Sequence, residues 1–125
     1  MNTTRFNIGM KTLQNIDGAH GEAVYESINE ISPSIANLLV EIFGDIYTRS
    51  ELSFKERELI SITSLLTQGG CEAQLKVHIN AALNVKVSPE SIVEICTHCI
   101  PYTGFPRILN ALFVIKEVFK ERGLL

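Results

Sequence analysis

Apolar residues recur at intervals of three and four along most of the chain, a period that predicts helices. The run "SPSIANLLVEIFGDIY" opens with Ser32 in an N-cap position and Pro33 at the first helical position. "SFKERELISITSLLTQ" opens with Ser53 and carries Glu56 three residues on, a capping box, and puts Leu59, Ile62, Leu65 and Leu66 on one stripe. Gly69–Gly70 ends it. "CEAQLKVHINAALNV" gathers Leu75, Ile79, Ala82 and Leu83 on one face, and "SPESIVEICTHCI" repeats the Ser-Pro start at Ser88 and Pro89, with Pro101 and Gly104 as its stop. "FPRILNALFVIKEVFKERG" closes the chain, with Pro106 near its start, Lys120 and Arg122 favouring its C-terminal end, and Gly123 as a stop. Residues 18–29 form a further helix, while residues 1–17 read as a loosely ordered arm. No segment alternates apolar and polar residues between turn signals, so the expected fold class is all-α with about six helices. Short connections favour antiparallel neighbours.

Composition narrows the class. The 125 residues fit one domain, 1–125, and 46% apolar with 20% charged content is globular. The net charge is −3 and the basic residues are scattered, so no basic stripe for nucleic acid is present. No apolar run reaches the length of a membrane span, and "MNTTRFNIGM" lacks the apolar stretch of a signal peptide. Three cysteines without framework spacing suit a reducing cytoplasm better than a disulfide-held secreted fold.

Chemistry concentrates in two stretches. In "GGCEAQLKVH", Cys71 stands at a helix start, where unpaired N–H groups and the helix dipole favour an anion and cysteines become reactive. Glu72 beside it works the other way, and a small apolar residue packing a helix start is an equal reading. Cys71, Gln74 and His78 share one helix face, His78 lying seven residues, or about two turns, after Cys71. His78 there is either a general base or a core-edge histidine bonded to a carbonyl. In "CTHC", Cys96 and Cys99 fall well inside a helix and continue the stripe of Ile92, Ile95 and Ile100, which reads as buried small apolar residues. A zinc site from Cys96, Cys99, His78 and His98 lacks the usual second ligand pair at short spacing. The row Glu94, His98 and Tyr102, one turn apart each, is the better set of polar groups on that helix.

Four segments carry a family resemblance: "RFNIGM", "LSFKERELISITSLLTQGG", "LKVHINAALNVKVSPESIVEI" and "PYTGFPRILNAL". In this order and spacing the chain resembles the carboxymuconolactone decarboxylase family, which includes the alkylhydroperoxidase D-like proteins. The resemblance implies an all-helical subunit that assembles into trimers or hexamers and acts on a small molecule. It also implies two chemistries. Peroxidase-type members, with peroxiredoxin-type activity, carry Cys-x-x-Cys-x-x-x-His and a Glu about one helix upstream. Aligned on His78, the first cysteine is Cys71, the second is replaced by Gln74, and Glu58 matches the upstream Glu across a gap one residue longer than usual. Decarboxylase-type members keep the His without the cysteine pair and act on a lactone carboxylate without metal or organic cofactor. By that analogy His78 is the acid/base, Glu58 or His98 assists, and Arg57 or Arg107 holds a carboxylate. The expected site is therefore His78, Cys71 and Glu58 as catalytic groups, with Gln74, His98, Tyr102 and Arg57 binding substrate. A non-catalytic oligomeric ligand-binding protein of the same fold is the third reading.

Overall fold

A computed structural model describes residues 3–125. Among them are seven α-helices and no strand, an all-α fold: α1 (Thr4–Asp17), α2 (Ala19–Ile31), α3 (Pro33–Tyr47), α4 (Phe54–Gln68), α5 (Glu72–Asn84), α6 (Pro89–Thr103) and α7 (Phe105–Glu121). They divide into two compact units, the first ending at Phe54 and the second running from Lys55 to Leu125.

The first unit corrects one expectation. The stretch read as a loosely ordered arm over 1–17 contains helix α1, whose start is capped by Thr3, the side chain accepting the Phe6 N–H at 3.0 Å. Its inward face is Phe6, Gly9, Thr12, Leu13 and Ile16, a helical row diluted by a glycine and a threonine, so its apolar period is faint in the sequence. The glycine has a packing reason. A Cβ on Gly9 would collide with the Val40 carbonyl, and one on Gly44 would lie 2.5 Å from the Gly9 Cα. Helices α1 and α3 therefore touch backbone to backbone. Phe6, Leu13 and Val40 form the apolar cluster beside that crossing, with Tyr25 edge-on to Phe6 at 5.4 Å. Arg5 clamps the same pair of helices from outside through Asp45 and Glu41, both at 2.6 Å. Ser32 caps α3 as expected, accepting from the Ile35 N–H at 3.3 Å, with Pro33 following.

In the second unit, α5 and α6 pack against α7, and one cluster runs through Ile62, Leu66, Leu75, Ile79, Ile92, Ile108, Ile115 and Val118. Ser88 caps α6 through the Ser91 N–H at 3.1 Å. Of its two expected stops, helix α6 runs on past Pro101 and is ended by Gly104 as its C-cap. The proline removes one donor in the last turn only. The turn is held by the Gly104 N–H on the Ile100 carbonyl at 3.1 Å and by the Thr103 and Thr67 hydroxyls, 3.1 Å apart. On the surface, Lys76 reaches Glu117 and Glu121 at 3.0 and 3.2 Å, and Arg122 bonds Asn80 and Asn84, tying α5 to α7. Among the described residues no helix is long and apolar enough to cross a membrane.

Candidate active site

Helix α4 presents a buried row of Glu58, Ile62 and Leu66, spaced four apart. Two of these belong to the stripe read from the sequence. The first position holds a carboxylate where an apolar residue would complete the row. Glu58 is fully buried, at 0% exposure. An ionised carboxylate in such a place is costly unless it is hydrogen-bonded or paired. Helix α5 supplies the partner. Its buried row is Leu75, Ile79 and Ala82, and His78, one position before Ile79, stands at the edge of that row with its side chain 22% exposed. His78 Nδ1 lies 3.0 and 3.2 Å from the two Glu58 oxygens. The extra residue between Glu58 and Cys71 thus leaves Glu58 within reach of His78.

The distances fit one proton arrangement. Where the carboxylate is ionised it only accepts, so Nδ1 is then the donor of this hydrogen bond. That tautomer makes Nε2 the basic ring atom, and protonation there turns the contact into an ion pair. The arrangement orients an imidazole and balances its charge, the two things general acid–base chemistry needs from a supporting carboxylate.

The cysteines stand elsewhere. Cys71 occupies the N-cap position of α5, half-buried, with no side-chain bond to the helix end. Its thiol instead donates to the Gly69 carbonyl at 3.5 Å. The Gly69–Gly70 turn has φ of +71° at both residues, a conformation suited to glycine, and Arg107 lies across it: a Cβ on Gly69 would sit 2.6 Å from Nε. Cys71, Arg107 and Asn110 line a cleft of about 10 Å³, room for about one water. Neither Glu58 nor His78 lines that cleft, and Gln74 is exposed. Cys96 and Cys99 are buried in the cluster of the second unit, as the apolar-stripe reading expected. Burial, with Cys99 beside it, pushes the Cys96 thiol up to about 11, so it stays protonated at neutral pH. All three cysteines are free, and among the described residues no cluster of three or more His, Cys, Asp or Glu can hold a metal ion.

Of the binding candidates, Arg57 is half-buried one residue before Glu58, and its carbonyl accepts from Ser61 at 2.9 Å. His98 and Tyr102 lie on α6 with ring centroids 5.7 Å apart, and Tyr102 is exposed. His98 lines an open cleft between α4 and α6 with Leu59, Thr63, Ser91, Glu94, Ile95 and Cys99. The sequence reading missed the α4 side of this cleft. Its signal was Leu59 and Thr63 one turn apart, facing the Ser91, Glu94 and His98 row.

Comparison with known proteins places the helices that carry the pair within one family. The chain belongs to the carboxymuconolactone decarboxylase family, whose model matches residues 33–117, a span that includes Glu58, Cys71 and His78. Over 122 residues it is 28% identical to a 4-carboxymuconolactone decarboxylase of Acinetobacter baylyi, covering 96% of this chain and 90% of that enzyme. These matches support a decarboxylase-like function at the level of the family and do not favour a peroxidase over it.

Proposed function

We propose that this chain is a decarboxylase-type enzyme that performs acid–base chemistry on a small lactone carboxylate, with His78 as its catalytic residue and Glu58 positioning it. The observation that carries this reading is the buried Glu58 carboxylate 3.0 Å from His78 Nδ1. In the step envisaged, the bond between the lactone ring carbon and its carboxylate breaks and CO2 leaves. The electron pair passes into the conjugated lactone as an enolate, and protonated His78 delivers its Nε2 proton to carbon. His78 then takes a proton from water. Arg57, adjacent to Glu58 in sequence, is the proposed cation for the carboxylate. No cofactor is invoked. Cys71 takes no part, since Gln74 stands where a second cysteine would close a disulfide.

The working form proposed is a homo-oligomer, trimer or hexamer, in the cytoplasm. Exposed Ile31, Ile35, Leu38, Ile42 and Ile46 mark a solvent-facing apolar row along the end of α2 and α3, which supports association. Light scattering on the purified chain tests this, and a monomer at micromolar concentration contradicts it.

The central experiment assays 4-carboxymuconolactone, the compound in the Acinetobacter enzyme's name, with the native chain, His78→Ala and Cys71→Ser. Turnover lost in His78→Ala and kept in Cys71→Ser supports the proposal. Full turnover in His78→Ala defeats it. Peroxide consumption that depends on Cys71 would move the assignment to the thiol chemistry, and tight binding without turnover would move it to a ligand-binding protein.

A further inference from the structure

The cleft between α4 and α6 stands apart from the Glu58–His78 pair, which does not line it. Its volume of about 340 Å³ falls among small-molecule sites, which run from about 300 to 1,000 Å³. Leu59, Ile95 and Cys99 supply apolar lining. The polar lining has a definite donor and acceptor balance. Thr63 spends its hydroxyl proton on the Leu59 carbonyl at 2.8 Å, which leaves lone pairs. Ser88 donates to the Ser91 hydroxyl at 2.8 Å, so Ser91 keeps a proton to give. Glu94 is the sole carboxylate or basic side chain besides His98 in the lining, and it has no ion-pair partner among the described residues.

An unpaired carboxylate at an apolar cleft repels a second carboxylate and attracts a cation. An ammonium group has three N–H donors and no acceptor, which complements Glu94 and the Thr63 oxygen. We propose that the α4–α6 cleft is a second ligand site, for a small amine with an apolar body. Its chemistry is opposite in charge to the substrate proposed for His78, and it does not rest on that reading.

The test titrates the 15N-labelled full chain with 2-phenylethylamine and, separately, with phenylacetate, following amide resonances. The expected result is saturable shifts at Leu59, Thr63, Ser91, Ile95 and His98 with the amine and none with the carboxylate. Glu94→Gln, an exposed position whose fold is checked by circular dichroism, weakens amine binding about tenfold, the scale of a charged hydrogen bond. Thr63→Val weakens it by a smaller factor. His78→Ala leaves the titration unchanged, so the two proposals fail separately. Linear, unsaturated shifts overturn the assignment, as do equal binding of phenylacetate, an unaltered affinity in Glu94→Gln, or shifts centred on His78.

Discussion

Two helices of the second unit carry reactive residue types inside their buried rows. Helix α4 has Glu58 in line with Ile62 and Leu66, and α6 has Cys96 and Cys99 in line with Ile92. The two rows differ in what burial requires of them. A thiol enters an apolar core as a small apolar group and needs no partner. A carboxylate does not, and Glu58 is retained with the His78 imidazole against it. The motif most conspicuous in the sequence is therefore core, while the less conspicuous Glu58 requires an explanation beyond packing.

Substitutions sharpen this contrast. The largest effect is expected for His78→Ala, with kcat lower by about a thousandfold and an unchanged helical circular dichroism spectrum, because general acid–base catalysis is worth about 10²–10⁴. Glu58→Leu restores an apolar row on α4. Its expected kcat is about a hundredfold below the native value with KM little changed, while its melting temperature holds or rises, because no carboxylate then has to be desolvated and the partly exposed His78 ring keeps access to water. A marked loss of stability in Glu58→Leu would make Glu58 a structural residue and erase the difference between the rows. Cys96→Ser runs the contrast the other way. It buries a hydroxyl, so denaturant unfolding is expected to show about 1–3 kcal/mol less stability, with kcat intact. The smallest effect is a rate. With its pKa at about 11, Cys96 has roughly one thiolate in a thousand at pH 8, so maleimide labels half-buried Cys71 first. Labelling of Cys96 accelerates as pH rises toward that value, which mass spectrometry of timed samples measures.

The helices from Pro33 onward were legible from their apolar periods, and α3 and α6 from their caps as well. Ser32–Pro33 and Ser88–Pro89 mark starts that the hydrogen bonds reproduce. Helix α1 was not, because Gly9 and Thr12 occupy inward positions that a period search expects to be apolar. The reason for that glycine lies on α3, more than thirty residues away. The candidate site was half legible. The family resemblance pointed to Glu58 and to His78 as the acid/base, but the 3.0 Å contact depends on how α4 and α5 pack. Cys71, Gln74 and His78 share a face in a helical projection. In the fold Cys71 precedes the helix, turned to the Gly69 carbonyl.

The meeting of Gly9 and Gly44 bears on how this fold tolerates change. Most helix crossings are upholstered with side chains, so a lost methylene can be answered by a neighbour of different size, and sequence drifts while shape persists. Where two main chains touch there is nothing to trade. Neither position admits even an alanine without pushing the helices apart, so drift elsewhere in the first unit cannot compensate for a change at either one. These two smallest residues, silent in any hydrophobicity profile, are fixed points around which the rest of α1 and α3 can vary.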